Sequence, residues 1–400
     1  MPKFAPELAL HGGLPVRSTL LPYGRQSISD EDIQAVSEIL RSDWLTTGPK
    51  VAEFEEAFAG WVGAKHAVAF SSGTAALHGA AFAAGLSPGH EAITTPLTFC
   101  ATANCILYQG AKPVFADVAV DTLNLDQGEV AQKITKRTRA IVPVDYAGHP
   151  ADLDAISELA NQHGLMVIED ACHALGAEYR GRHVGSISHM TVFSLHPVKH
   201  LTTGEGGIVT TDDAGLARQL RLFRNHGIDS DGRRRQAEGG WYYEMLSLGY
   251  NYRLTDSGCA LGQAQLPRLD ANLRRRREIA ARYSSAFQNL PGVITPTVHA
   301  EVKPAWHLYP IRVDVNRLKA GRDEIFQALR AENLGVNVHY IPVHLHPYYQ
   351  HRFGYVLGDY PVAEDAYQHL ISLPMFHGMS DHDMDDVIQA VNKVFGYYAC

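Results

Sequence analysis

The stretch HAVAFSSGTAALHGAAFAAGL, from His66 to Leu86, decides the fold of this chain. Its first five residues are mostly apolar and have the length of a buried strand. The residues after Thr74 are mainly small helix formers, and Gly73 allows a tight turn between the two parts. The stretch therefore predicts a strand, a sharp turn and a helix, which together form the repeating unit of α/β sheets.

The same alternation of strand and helix continues along the chain. It predicts further strands at EAITT, PVFA, RAIVPV and LMVIED, with helices between them. Such a pattern indicates a mostly parallel sheet covered on both faces, and ligands bind beyond the carboxyl ends of its strands. After about Leu254 strands and helices follow in mixed order. We therefore predict a large domain with an N-terminal lead-in over residues 1–254, and a smaller α+β domain over residues 255–400.

Composition and charge exclude several classes of function. The 400 residues carry a formal net charge of -8, which argues against nucleic acid as the main partner. The run Arg274–Arg277 is typical of a solvated helix face, whereas Arg233–Arg235, in a Gly-rich loop, is a candidate anion contact. Five scattered cysteines without a CxxC pair indicate reduced thiols and a cytoplasmic protein. We expect no signal peptide, no membrane span and no metal site.

Three polar features each follow a predicted strand of the large domain. Gly73 and Thr74 lie at the start of a helix, where free N–H groups suit a phosphate. The strand LMVIED ends in Asp170, and TVFSL ends in Ser194 shortly before Lys199. Taken singly, these features are also typical of a helix cap, a salt bridge and a surface lysine. Together they are the parts that hold pyridoxal 5'-phosphate (PLP), with the lysine as Schiff base and the carboxylate on the pyridinium nitrogen.

The segment FSLHPVKHLTTGEGG resembles the lysine motif of the DegT-type sugar-nucleotide aminotransferases. Further segments resemble that family in the same order, and the similarity covers nearly the whole chain: SDWLTTGPKVAEFEEAFAGWVGAKHAVAFSSGTAALH, EAITTPLTFCATANCILYQGAKPVFADV, VDYAGHPADLDAI, IEDACHALGA, LGYNYRLTD and ISLPMF. The resemblance implies a fold-type I PLP-dependent transferase with a seven-stranded, mostly parallel sheet in the large domain. It also implies PLP as the cofactor and transamination as the reaction.

The resemblance assigns roles to individual residues of this chain. Lys199 matches the Schiff-base lysine and Asp170 the pyridinium partner. Asn251 matches an asparagine that reaches the phosphate of the neighbouring subunit, which implies a homodimer with shared active sites. The other cofactor contacts implied are Gly73, Thr74, Phe99, His173 and Ser194. The substrate contacts implied are Tyr23, Asp43, Trp44, Leu45, Thr46, His307, Leu308, Tyr309 and Pro310.

Two further residues belong to this interpretation. His196 either lines the substrate site or packs under the lysine loop. Cys172 departs from the alanine or serine common in the family, without removing a group that the reaction needs.

Within the family, the motifs are most similar to the transaminases of the pseudaminic acid pathway. Those enzymes move an amino group from L-glutamate to C4 of a UDP-linked 4-keto-6-deoxy-N-acetylhexosamine and leave 2-oxoglutarate. Other nucleotide-sugar substrates stay open, namely GDP-sugars of the perosamine type and dTDP-sugars aminated at C3. A PLP-dependent lyase or dehydratase and a non-catalytic sugar-nucleotide-binding regulator also remain. The dehydratase relatives carry histidine in place of the lysine, so Lys199 favours transamination.

Overall fold

The computed structural model describes residues 7–229 and 239–400. The candidate anion contact Arg233–Arg235 lies outside these residues. The strands are β1 (His66–Phe70), β2 (Glu91–Thr94), β3 (Lys112–Phe115), β4 (Thr138–Val142), β5 (Met166–Asp170), β6 (Glu178–Tyr179), β7 (Arg182–His183), β8 (Met190–Ser194), β9 (Gly207–Thr211), β10 (Val293–Ile294), β11 (Val302–Lys303), β12 (Tyr309–Val313) and β13 (Leu370–Leu373).

The large sheet has seven strands in the order β1-β9-β8-β5-β4-β2-β3. Only β9 runs antiparallel to its neighbours, β1 and β8, and the other pairs are parallel. The mostly parallel, seven-stranded sheet expected from the sequence is therefore confirmed.

Helices cover both faces of this sheet. The helices are α1 (Asp30–Leu40), α2 (Pro49–Val62), α3 (Gly73–Ala83), α4 (Ala101–Tyr108), α5 (Gln127–Lys133), α6 (Leu153–His163), α7 (Ala214–Arg224), α8 (Asp256–Gln265), α9 (Leu269–Phe287), α10 (Arg322–Ala331), α11 (Pro347–Phe353), α12 (Pro361–His369) and α13 (Asp381–Tyr398). Successive side chains of a strand point to opposite faces of the sheet, and alternate residues of β1 accordingly pack against different helices. Val68 and Phe70 pack with α3 and α7, whereas Ala67 and Ala69 pack with α2 and α8.

A second core lies around the antiparallel sheet β10-β12-β13. Its buried side chains come from this sheet and from α9, α10 and α13. Leu8 and Leu21, near the start of the chain, are buried in the same core. Helix α8 packs against α1 and α2 of the first part of the chain. The division into domains at residue 254 stays a prediction.

The carboxyl ends of β1, β2, β4, β5 and β8 meet at one edge of the large sheet, because these strands run in the same direction. Gly207 lies between the ends of β1 and β8, paired with both Phe70 and Ser194. A Cβ atom there would lie 2.4 Å from the carbonyl oxygen of Ser72, so only glycine lets the two strand ends come together.

In the part of the chain that the structure describes, no helix combines the length and the apolarity needed to cross a bilayer.

Candidate active site

The lysine loop connects β8 to β9 and folds back on itself at the edge of the sheet. Backbone hydrogen bonds of 2.8 Å from Leu195 N to Gly206 O and of 2.9 Å from Lys199 N to His196 O fix its course. The side chain of Lys199 is half-buried, and its Nζ lies 3.2 Å from Nε2 of His307. The loop therefore holds a lysine inside the protein, against the segment that precedes β12.

Burial lowers the pKa of Lys199 from its ordinary 10.5 to about 8, since a desolvated ammonium group is unfavourable. The positive charge of Arg276 lowers the pKa further, while Cys172 and Asp170 act in the opposite direction. A substantial fraction of the amine is then neutral near physiological pH. A neutral amine is the form that attacks a carbonyl carbon.

Asp170 ends β5 and is buried beside the lysine loop. Its Oδ2 accepts a hydrogen bond of 2.7 Å from Thr102 Oγ1, and its Oδ1 accepts one of 3.2 Å from Cys172 N. No ion pair to Asp170 is present among residues 7–229 and 239–400. A buried carboxylate without a cation is costly, so this position suits a positively charged ring nitrogen.

Two aromatic side chains contact Tyr340 at this edge of the sheet. His173 follows Asp170 on the same turn, and its Nε2 lies 2.9 Å from the hydroxyl of Tyr340. The other ring nitrogen of His173, Nδ1, is buried and has no partner within the described ranges. Phe99, which follows β2, is 57% exposed, and its ring centroid lies 6.2 Å from that of Tyr340. The phenylalanine thus has an open face that a planar ring can stack on.

The turn between β1 and α3 supplies the phosphate-binding groups. Ser72 caps α3 by accepting a hydrogen bond of 3.1 Å from Ala75 N. The N–H groups of Gly73 and Thr74 have no acceptor within the helix, as at every helix N-terminus. A Cβ atom at Gly73 would lie 3.1 Å from that of Ser194, so the turn directly adjoins the end of β8. This geometry suits a phosphate group.

The described residues fit PLP at this edge of the sheet. They provide a lysine with a lowered pKa, a carboxylate without a cation and a helix N-terminus beside a serine hydroxyl. The chain's own contacts bring together Lys199, Asp170, His173 and His307 on one side, and Gly73 and Ser194 on the other. The roles predicted for the individual residues stay predictions.

Within the described ranges, the remaining predicted residues form no side-chain hydrogen bond with the lysine amine. Tyr23 packs against His339 at 5.5 Å, and His196 is exposed on the lysine loop. Asp43, Trp44, Leu45 and Thr46 form the connection from α1 to α2, where Leu45 O accepts a hydrogen bond of 3.1 Å from Asp256 N. Asn251 is exposed, and its neighbour Tyr252 accepts a hydrogen bond of 2.8 Å from Ser71 N.

Within the segment His307–Pro310, the histidine contacts Lys199, and the other three residues are buried in hydrophobic cores or in β12. Leu308 is buried in the core that contains Leu97 and Phe115. The hydroxyl of Tyr309 lies 2.8 Å from Ser284 Oγ, in the core of the small sheet. Pro310 is buried in β12. The substrate-binding role of these three residues stays a prediction that a variant series has to test.

Sequence reasoning missed three residues that support the site: Thr102, Tyr340 and Arg276. Thr102 lies on α4 three positions after Phe99, which is the spacing of one helical turn and the only local signal. The solvated face expected for Arg274–Arg277 was wrong for Arg276, which is 1% exposed. Arg276 shares its helix face with Leu273 and Ala280, which are both buried, so the phase of α9 turns this side chain inward.

Comparison with known proteins agrees with this geometry. The sequence model of the DegT/DnrJ/EryC1/StrS aminotransferase family matches residues 26–392. The chain is 50% identical over 380 residues to the spore coat polysaccharide biosynthesis protein SpsC of Bacillus subtilis, which covers 94% of this chain and 98% of that protein.

Two solved structures are also similar. One is Helicobacter pylori PseC, an aminotransferase involved in the biosynthesis of pseudoaminic acid; it has a TM-score of 0.88, 34% identity and coverage of 95% of this chain and 100% of that chain. The other is the PLP form of the putative sugar aminotransferase Spr1654 of Streptococcus pneumoniae, with a TM-score of 0.88, 30% identity and coverage of 94% and 99%.

Proposed function

We propose that this chain, which belongs to the DegT/DnrJ/EryC1/StrS aminotransferase family, moves an amino group from L-glutamate to C4 of a UDP-linked 4-keto-6-deoxy-N-acetylhexosamine. The chain is a PLP-dependent sugar aminotransferase. The observation that carries the proposal is the half-buried Lys199 beside Asp170, a carboxylate that no cation of the described chain neutralises. Similarity over 95% of the chain to PseC, an aminotransferase involved in the biosynthesis of pseudoaminic acid, supports this choice of sugar.

The chain's own residues divide the work of transamination. Bound PLP supplies an electron sink next to the carbon that loses a proton. Asp170, held by Thr102 and by the Cys172 amide, keeps the ring nitrogen protonated. Gly73 and Ser194 bind the phosphate at the far end of the cofactor. The Lys199 amine would hold the cofactor, and a pKa near 8 would let its Nζ take up and return a proton at neutral pH.

An exposed apolar segment supports the homodimer. Between Trp241 and Tyr250, directly before Asn251, seven large apolar or aromatic side chains are exposed, and Trp241 is 83% exposed. Contiguous apolar surface of this kind marks an interaction site. A second copy that covers this segment would receive Asn251 at its own cofactor phosphate.

An absorption experiment tests the amino donor and the lysine. We expect the purified enzyme to show an absorption band at ~420 nm that moves to ~330 nm when glutamate is added. The Lys199→Ala variant should lack the ~420 nm band of the lysine–cofactor linkage. UDP-, GDP- and dTDP-linked 4-keto sugars would then be added in turn, and mass spectrometry would identify the amino sugar formed. Return of the long-wavelength band with the UDP sugar alone supports the proposal. Return with a GDP or dTDP sugar alone replaces the substrate, and no response to glutamate points to a lyase, a dehydratase or a binding protein.

Mixed dimers test the shared site. Lys199→Ala and Asn251→Ala should each be inactive alone. If Asn251 acts in the neighbouring subunit, equal mixing after dissociation restores about a quarter of the wild-type sites, because half of the dimers are mixed and each has one intact site. If Asn251 acts within its own subunit, mixing restores no activity, and the shared site is excluded.

A further inference from the structure

His307 makes a contact that the substrate-binding role expected from the sequence does not explain. It is 4% exposed, and its Nε2 lies 3.2 Å from Nζ of Lys199. Its Nδ1 is buried and lacks a hydrogen-bond partner in the described parts of the chain. Among the described residues, the only hydrogen-bonding contact of this buried imidazole side chain is therefore the one with the lysine amine, so the ring can influence the position of that amine.

The backbone of His307 is fixed from two sides. Arg276 Nη1 donates hydrogen bonds to the carbonyl oxygens of Trp306 at 3.1 Å, His307 at 3.4 Å and Met375 at 3.1 Å. On the other side, Gly148 has a φ of +98°, and a Cβ atom there would lie 3.0 Å from His307 N. The large sheet and α9 therefore set the position of the imidazole together.

The imidazole stays uncharged in this environment. Burial lowers the pKa of His307 well below its usual range, and the charge of Lys199 lowers it further. The titratable and charged groups around the amine are Asp170, Cys172, His173, His200, Arg276, His307 and His339. A neutral ring at this place contributes a hydrogen bond without adding a second positive charge.

We propose that His307 is a positioning residue, whose imidazole holds Nζ of Lys199 in place through a hydrogen bond. The lysine side chain has four freely rotating bonds, and one fixed contact at its end reduces the positions that the amine explores. A fixed nucleophile reacts faster than a mobile one, because the cost of orienting it has been met in advance. This inference rests on the role of Lys199 proposed above.

Capture of PLP by the apoenzyme tests the proposal apart from turnover. Stopped-flow absorption would follow capture by wild type, His307→Leu and His307→Gln, whose amide can place a hydrogen-bonding group near Nε2. We expect His307→Leu to slow capture about tenfold and His307→Gln to restore most of the rate. His344→Leu is the matched control, because His344 is also fully buried but its Nε2 lies 2.8 Å from Glu364 Oε1, in the core around Phe115. It should lower the melting temperature without slowing capture.

Two measurements, the capture rate and the site of cofactor attachment, decide the matter. Slow capture in His307→Leu, with an unchanged KM for the keto sugar, supports the proposal. Capture at the wild-type rate with a raised sugar KM overturns it and leaves His307 as a substrate contact only. Borohydride reduction and peptide mass spectrometry would show whether Lys199 carries the cofactor in wild type. If it does not, the role of Lys199 and the inference both fail, whereas a Lys199 adduct with unaltered capture in His307→Leu removes the inference alone.

Discussion

The hydroxyl of Thr102 on α4 donates a hydrogen bond of 2.7 Å to Oδ2 of Asp170 at the end of β5. The two residues lie on different elements, and Thr98 Oγ1 lies a further 2.8 Å from Thr102 Oγ1. A hydroxyl chain therefore fixes the carboxylate that we assign to the cofactor ring nitrogen.

Thr102→Val keeps the shape of the side chain and removes this donor. We expect weaker PLP binding and a loss of about 1–3 kcal/mol in the free energy of unfolding, since a buried acceptor loses its partner. Fluorescence titration of apoenzyme with PLP and urea unfolding measure the two effects. Thr102→Ser retains the hydroxyl and should behave nearly like wild type. Equal PLP affinity in the valine and serine variants would show that the hydroxyl does not support Asp170.

Lys199 should make the stability of the apoenzyme depend on pH. Its pKa is about 8 in the folded protein and keeps the ordinary 10.5 in the unfolded chain, so the unfolded state binds more protons between these values. The cost of burying the ammonium group is complete below about 8 and disappears as the pH rises toward 10.5. We expect Lys199→Met to be more stable than wild type at neutral pH, by about 1–3 kcal/mol.

Urea unfolding of both apoproteins over this pH range measures the difference. It should shrink steadily as the pH rises above about 8. A difference that is constant across the range would mean that the amine is not desolvated in the apoenzyme.

Gly148→Ala should push the backbone at His173 away from the backbone at Trp306 and His307. A Cβ atom at Gly148 would lie 2.7 Å from His173 O and 2.8 Å from Trp306 N, so the backbone segments must move apart. Gly12 has the same φ of +98° with no atom within 4 Å, which makes Gly12→Ala a matched control for backbone strain alone. We expect the control to cost about 1 kcal/mol and to leave kcat unchanged, whereas Gly148→Ala loses more stability and most of kcat. Similar melting temperatures and activities in both variants would refute the crowding argument.

Glu332→Gln should be strongly destabilising. The Glu332 carboxylate is fully buried, accepts hydrogen bonds of 3.0 Å from Ala9 N and 2.8 Å from Val16 N, and pairs with Lys393 Nζ at 2.8 Å. Removing its charge leaves the lysine buried and unpaired, at a cost of about 3–5 kcal/mol. Glu53→Gln, in the exposed pair with Lys50, should cost less than about 1 kcal/mol.

Chemical denaturation compares these variants. The double variant Glu332→Gln with Lys393→Met should recover part of the lost stability, because no unpaired charge remains. If the single variant unfolds with the wild-type midpoint, the pair does not hold the N-terminal segment.

The sheet and the convergence at its edge could be predicted because both follow from local patterns. Gly73, Asp170 and Ser194 follow or end strands that run in one direction, and each strand is visible as a short apolar run. The contact of His307 with Lys199 could not be predicted, because 108 residues separate the two and only the packing of the segment before β12 against the lysine loop sets their distance. Arg276 was misread because a run of four arginines looks polar all round, and only the phase of α9 against its core shows which one is buried.

Leu8 and Leu21 complete a core whose other members extend from Ile279 to Phe395. These two leucines precede their neighbours in that core by about 250 residues or more, so they are synthesised well before them. The large sheet can assemble while translation continues, whereas the second core stays open until the residues from Ile279 to Phe395 have emerged. Until then the early leucines and the growing chain expose apolar surface, which is where a chaperone would be needed most.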